Sequence, residues 1–438
     1  MRVEKDFLGE RTIETDVLYG IQTLRARENF SLQYHNTDPS LIDAIVQVKK
    51  AAALTYQELI PEQKELYGAI LWACDEILSG KHKDAFVTCG LQGGAGTSTN
   101  MNINEVLANL ALIRLGHKPG EYDYVHPLDH VNKGQSTNDV YPTALRIAVI
   151  LKLRNLSQAC ASLQESFQKK ENAFDHIRKL GRTELMDALP ITLGQEFGSY
   201  AQAISRDRWR LYKVEERLRQ VNIGGTAVGT GNNAQKKYRF GVLEQLKNLT
   251  GIGLSAAEYP MDITQNNDVF VEISGLTKAL AVNLMKISGD LRWMNSGPKG
   301  GLGEIKLAAM QMGSTIMPGK VNPVIPEMVI QVAMKVIAND SAITMAAAHG
   351  EFELNGFLPL IADSLLENMN LLTAAVEIFQ NKCIETIECD DERCKELLEA
   401  SYGFGVDYIE KLGYDKVAAI LKEAHGDPKL AKEILEKT

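Results

Sequence analysis

Apolar residues recur at spacings of three and four over several long stretches, which is the pattern of amphipathic helices. The clearest covers roughly 264–295, where Val269, Ile273, Leu276, Leu280, Leu284, Ile287, Leu291 and Met294 make one stripe. Phe270, Val271, Val282, Met285 and Trp293 lie off that stripe. A helix apolar on more than one face is usually buried on more than one face. At 1.5 Å per residue it spans on the order of 40 Å. Similar runs cover 143–180, 195–220, 324–348 and 357–388. Long helices with such wide apolar coverage predict a bundle continued across subunits, hence an oligomer.

The helical pattern is interrupted by three glycine-rich segments: "CGLQGGAGTSTN" (89–100), "NIGGTAVGTGNN" (222–233) and "NSGPKGGLGE" (295–304). None fits G-x-x-x-x-G-K-[ST] or a strand-borne G-x-G-x-x-G, so nucleotide binding is not expected. They read as tight turns at helix ends. The first stands apart, because Thr97, Ser98 and Thr99 put hydroxyls beside permissive backbone, a combination suited to a carboxylate. In "NKGQSTNDVYPT", Ser136, Thr137 and Asn138 precede a helix. Two readings stand there: a plain helix N-cap, or a second polar cluster. In "GRTELMDALPITLGQEF" (181–197), Thr183 and Glu184 precede a proline-containing irregular stretch between two long helices. Lastly, "QMGSTIMPGKVNPVIPE" (311–327) holds Gly313, Gly319 and prolines 318, 323 and 326, which oppose a regular helix or central strand. The same run carries Ser314, Thr315, Lys320 and Asn322. That is a polar, cation-bearing loop.

Composition narrows the classes. The chain has 438 residues, 45% hydrophobic and 24% charged, enough for several core-bearing layers. A net charge of -9 without basic blocks argues against nucleic acid and against a polybasic membrane anchor. "MRVEKDFLGERT" has no apolar signal-peptide core, and nowhere do 18 apolar residues run together, so a cytoplasmic protein is expected. The six cysteines (74, 89, 160, 383, 389, 394) lack paired zinc spacing and read as reduced thiols. His126 and His130 in "HPLDH" are four apart, but Pro127 lies between them and no third ligand is near. A structural role is expected for both.

"GSTIMPGKVNP" resembles the signature loop of the aspartase/fumarase superfamily, G-S-x-x-M-P-x-K-x-N. "QGGAGTSTNMNINEVLAN", "HVNKGQSTNDVYPTALRIAV" and "LGQEF" resemble that family's other active-site blocks, in its aspartase branch. The similarity runs from "EKDFLGER" to "ELN" at 353–355 and beyond. It implies a mainly α fold whose long central helix bundle assembles into a 20-helix core in a homotetramer, with each active site drawn from three subunits. The expected division is 1–138 (N-terminal, mainly helical), 139–389 (long-helix bundle) and 390–438 (small, helical, read either as a solvated cap or as packing near a neighbour's loop). The implied chemistry is carbon–nitrogen elimination without cofactor or metal, giving an α,β-unsaturated acid. By resemblance Ser314 is the general base, and Lys320 and Asn322 hold the substrate's α-carboxylate. Thr97, Ser136, Thr137 and Thr315 surround the electron-accepting group, Asn138 and Thr183 face the leaving group, and Ser98 and Met317 complete the substrate-binding set.

Glu184 departs from the pattern, since histidine commonly follows the threonine and glutamine does so in some aspartases. An ionised glutamate cannot donate a hydrogen bond. Against a dicarboxylate at about 4 Å, with an effective dielectric of 20, it costs on the order of 4 kcal/mol. Ergothionase-type relatives, which eliminate trimethylamine from ergothioneine, suit a glutamate that accepts from an uncharged ring. Glu184 is therefore expected to be catalytic and ergothioneine is the favoured substrate. Aspartate ammonia-lyase is the alternative, with fumarate hydratase and a non-catalytic relative behind it. An outward Glu184 paired with Arg182 is the plainest reading of the same residue.

Overall fold

The computed structural model describes every residue, Met1–Thr438, and the fold is mainly α. A hairpin, β1 (Arg2–Asp6) and β2 (Gly9–Ile13), leads into α1 (Ile21–Asn29), α2 (Pro39–Leu59), α3 (Lys64–Leu78) and α4 (Thr97–Arg114). Then come α5 (Thr137–Ala173), a second hairpin β3 (Arg178–Thr183) and β4 (Met186–Thr192), α6 (Leu193–Leu218), α7 (Lys236–Thr250) and α8 (Pro260–Gln265). The long helices α9 (Asp268–Met294), α10 (Val324–Ala348) and α11 (Leu358–Phe379) precede four short C-terminal helices. No helix is long and apolar enough to cross a membrane.

Two compact units result: one of residues 1–155, 211–277 and 336–370, the other of 156–210, 278–335 and 371–438. In the first, α2 packs against α3 and α7. Tyr56 stacks on Tyr67 and Tyr238 with ring centroids 5.7 and 4.7 Å apart. In the second, Phe167, Phe174, Phe197, Tyr200 and Phe379 meet through tilted and edge-on ring contacts, the geometry that aromatic quadrupoles favour. Within that unit the last residues gather a small core of their own, Val417, Ile420 and Leu435 packed by Phe404 and Tyr408.

Local chemistry explains where the elements depart from the periodicity. The stripe expected from 264 starts at Asp268, because α8 ends at Gln265 and Asn266 is extended. Residues 178–192, expected to end a helix at 180 and then to run irregularly, form an antiparallel hairpin with a shift of register at Gly181, because α5 stops at Ala173. Its tip is Glu184–Leu185, both with positive φ (53° and 66°). That is the backbone sign of a type I′ turn, held here without the Asn-Gly such turns prefer. Pro326, read as a helix breaker, lies in the first turn of α10, where a missing N–H removes no intrahelical bond.

The turn before α4 demands glycine. Gly94, Ala95 and Gly96 all have positive φ, and a Cβ on Gly96 would lie 2.2 Å from the Tyr141 ring. Gly96→Ala is therefore expected to displace that turn. Overpacking costs about 1–3 kcal/mol and the left-handed backbone about 1–2 kcal/mol more. Thermal denaturation should show a clear fall in melting temperature, whereas Gly356→Ala, with nothing near its Cβ position and no positive φ, should not.

Candidate active site

Two of the three polar blocks meet in the first unit around a cavity of about 560 Å³, lined among others by Thr97, Asn100, Asn132, Ser136, Thr137 and Thr226. Ser136 is both cap and lining. Its Oγ accepts from Asn138 N at 3.2 Å, and Asp139 reaches back to accept from Ser136 N at 2.9 Å. This is a capping box that opens α5. The other Asp139 oxygen accepts from Gly224 N and Thr226 N, each at 3.0 Å. Burial pushes the Asp139 carboxyl up to about 6, while those N–H groups and Lys49 pull it back. Pro142 supplies a second tie. It cannot donate to the carbonyl four residues back, so Asn138 O is left open inside α5. Asn222 Nδ2 fills it at 3.0 Å. The 222–233 glycine loop is thus fastened to the start of α5 at two points.

The hydroxyls around this cavity are not equivalent. Thr97 Oγ1 donates to Gly94 O at 2.8 Å, so its proton is spent and it can only accept. Ser136 already accepts from Asn138 N, and Thr137 Oγ1 accepts from Asn100 Nδ2 at 3.1 Å. Their own protons meet no acceptor in the chain and remain available to donate. Asn138 gives its Nδ2 to Ala227 O at 2.7 Å, leaving its Oδ1 as an acceptor. Ser98 opens instead on a neighbouring cavity of about 520 Å³ beside Gln22, Arg25 and Glu105.

The remaining candidates lie in the second unit. Ser314 Oγ accepts from Ile316 N at 3.3 Å and Met317 N at 3.0 Å. Two amides pointed at one hydroxyl oxygen favour its alkoxide. The loop closes on itself through Gly313 N to Lys320 O (3.0 Å), Lys320 N to Met317 O (3.2 Å) and Asn322 Nδ2 to Gly313 O (2.9 Å). Thr315, Met317 and Lys320 are exposed. Lys320 and Asn322 line a cavity of about 880 Å³ whose wall includes Arg292, Lys299 and Arg393. Thr183 and Glu184 stand exposed at the β3–β4 tip. Arg182 does not pair with Glu184: it is held by Glu304 at 2.8 Å, and Glu304 also takes Lys179 at 3.3 Å. Glu304 is fully buried, so this cluster anchors the base of the hairpin that presents Thr183 and Glu184. His126 and His130 serve the backbone, His126 Nδ1 accepting from Leu128 N and Asp129 N, and His130 Nδ1 from His126 N. All six cysteines are free.

Residues 9–338 match the Lyase family. The chain belongs to the aspartase/fumarase superfamily. It is 45% identical over 426 residues to the aspartate ammonia-lyase of Helicobacter pylori, covering 97% of this chain and 91% of the relative. It is likewise 45% identical over 423 residues to that of Bacillus subtilis, with 97% and 89% covered. Among solved structures, a fumarate lyase:delta crystallin from Brucella melitensis superposes with a TM-score of 0.93 at 44% identity, covering all of both chains. A class II fumarase from Schistosoma mansoni gives a TM-score of 0.95 at 31% identity, covering 99% and 95%. This lyase lies in the aspartase-like branch and is a carbon–nitrogen lyase. The relatives do not favour the ergothionase reading over its alternative.

Several supporting residues of the lyase escaped the motif reading: Asn100, Asn132, Asp139, Asn222 and Lys49. Only Asp139 left a trace, as the acid three residues after the cap Ser136. Asp139→Asn tests that role. An amide keeps the shape but has one accepting oxygen for three N–H groups. The variant should lose about 1–3 kcal/mol for each buried donor left without a partner, read as a lower melting temperature. An unchanged melt would show that Asp139 does not hold the two segments together.

Proposed function

We propose that this lyase is an aspartate ammonia-lyase, releasing ammonia from L-aspartate to give fumarate, and that it works as a cytoplasmic homotetramer with active sites shared between subunits. The observation that carries the reading is the division of hydrogen-bonding roles in the first-unit cavity. Ser136 and Thr137 keep protons to donate, as a carboxylate requires, while Thr97 and Thr226, whose protons go to Gly94 O and Asn232 O, keep oxygens to accept, as an ammonium requires. A trimethylammonium group has no N–H to give such acceptors, and an imidazole-thione ring is poorer than a carboxylate as a partner for two hydroxyl donors. The 45% identity to aspartate ammonia-lyases points the same way.

In this reading Ser314, with two amides on its oxygen, takes the proton from the carbon beside the β-carboxylate. The developing charge spreads onto that carboxylate, where preorganised donors stabilise it. Lys320 and Asn322 hold the α-carboxylate, and ammonia leaves past Thr97, Asn138 and Thr183. Thr315 and Met317 move with Ser314 as parts of the covering loop. Glu184 is a carboxylate near the leaving ammonium, whose positive charge offsets the cost of Glu184 facing a dianion.

The test incubates the protein separately with L-aspartate, ergothioneine, and fumarate plus water, following the ultraviolet absorbance of the conjugated acid. Fumarate and ammonia from aspartate, with ergothioneine inert, is expected; thiourocanate from ergothioneine would restore the other substrate. Ser314→Ala should lower kcat more than tenfold, over 1.4 kcal/mol, with little change in substrate binding. Lys320→Met should raise KM as well. Glu184→Gln, which restores the residue of some aspartases, should preserve or raise aspartate turnover.

A further inference from the structure

The cation nearest in sequence to Glu184 is Arg182. Two residues of strand span about 7 Å, within the combined reach of an arginine and a glutamate side chain. Yet Glu184 stands exposed at the β3–β4 tip with no hydrogen bond or ion pair in the chain. Arg182 is turned away from it, its Nη1 donating to Glu304 Oε1 at 2.8 Å. An acidic side chain left alone beside an arginine calls for a reason.

The charge balance beneath the hairpin supplies one. Lys179 Nζ lies 2.6 Å from Glu196 Oε2 and 3.3 Å from Glu304 Oε2. With Arg182 on Glu304, two cations meet two carboxylates and the cluster has no charge to spare. Glu304 is 0% exposed, and acidic side chains are almost never buried so fully unless paired. Drawing Arg182 away would leave that buried carboxylate short of a partner. This costs far more than an exposed ion pair returns. Glu304 therefore keeps Arg182, and Glu184 keeps an uncompensated charge.

We propose that Glu304 is a positioning residue for specificity: by holding Arg182 it keeps the Glu184 carboxylate unpaired, and that carboxylate disfavours dicarboxylates that carry no ammonium. This rests on the proposed function, in which Glu184 faces the leaving ammonium. In aspartate the ammonium offsets the repulsion between Glu184 and the two carboxylates. Succinate and fumarate have no such group and meet the like charge in full. The product is thereby disfavoured at the site that accepts the substrate.

The experiment measures the KM for L-aspartate and the competitive inhibition constant of succinate on the full-length protein. It compares wild type, Glu304→Gln, and Glu304→Gln combined with Arg182→Met. Glutamine keeps the shape and removes the charge, so the cluster holds one cation in excess. Lys179 remains on Glu196, and Arg182 is released toward Glu184. Succinate should then bind more tightly relative to aspartate. The ratio of its inhibition constant to the KM should fall about threefold, the scale of a partly exposed ion pair. Arg182→Met removes the released cation and should return the ratio to its wild-type value. A purely structural loss would weaken both ligands together, and a second substitution in the cluster would deepen it. An unchanged ratio in Glu304→Gln, or a fall that Arg182→Met does not reverse, overturns the proposal. Where Glu304→Gln does not fold, Met186→Arg places a free cation at the exposed tip without touching the buried cluster. The same fall is expected there, and its absence overturns the proposal. Failure of the wild type to turn over aspartate would overturn the proposed function together with this one, whereas turnover with an unmoved ratio overturns only the role of Glu304.

Discussion

The cavity depends on a single buried carboxylate. Asp139 accepts from Ser136 N with one oxygen and from Gly224 N and Thr226 N with the other, joining segments about 85 residues apart in sequence. Each of these N–H groups sits at a helix start or in a glycine loop, where no regular ladder provides a partner. A neutral side chain of this size could satisfy one or two of them. The carboxylate satisfies all three, and charge-assisted bonds to N–H groups are about twice as strong as neutral ones. Pro142 adds to the arrangement by what it lacks: its missing N–H opens Asn138 O to Asn222, which also donates to Thr264 Oγ1 at 2.8 Å. The loop that carries Thr226 and Ala227 to the cavity is thereby referred to the first turn of α5.

Hydroxyl groups are poor instruments of specificity when free, because each can donate or accept. The lyase removes that freedom at three cavity hydroxyls by giving each one internal partner. Thr97 spends its proton on Gly94 O, Ser136 takes the Asn138 amide, and Thr137 takes Asn100. What remains on each is one role. Under the proposed function, such donors and acceptors placed together would distinguish an amino acid bearing carboxylate and ammonium from a ligand with either charge alone. Under that reading, the selectivity would be set one layer behind the surface, by backbone groups and buried amides. A site that leaves its own polar partners unmatched rejects the wrong ligand more strongly than a hydrophobic pocket can.

Long helices were legible because their apolar spacing persists over many turns, and the family blocks because glycine, proline and hydroxyl residues recur in a fixed order. Other features were hidden for physical reasons. The β3–β4 hairpin has no Asn-Gly or Asp-Gly at its tip, so Glu184–Leu185 gave no turn signal although both residues adopt positive φ. The two readings of Ser136–Asp139 proved compatible: the residues cap α5 and line the cavity at once. Lys49, in "VQVKKAAAL", looks like any charge on a helix face, and only the packing of α2 shows that this one is inside. The reading of Glu184 shows the opposite limit. Its residue type was visible, but the substrate inferred from one acidic residue weighed a single charge above the hydroxyl pattern. That pattern acquires a direction only once its hydrogen bonds are known.

The signature segment shows why an irregular stretch suits the base proposed for Ser314. Its hydrogen bonds are internal: Gly313 N to Lys320 O, Lys320 N to Met317 O, Asn322 Nδ2 to Gly313 O, and two amides to Ser314 Oγ. A Cβ on Gly313 would lie 2.4 Å from Lys320 O, so glycine is what lets the two ends of the segment touch. Most of the run from Gln311 to Val321 is exposed. A segment tied mainly to itself can shift as one body without first breaking the bonds that give it shape, which keeps the energetic barrier to closure low. Serine needs help to act as a base, and here that help travels with it, because the amides of Ile316 and Met317 belong to the same body. In the proposed reaction the environment that favours the alkoxide is thus already in place before the segment covers the substrate.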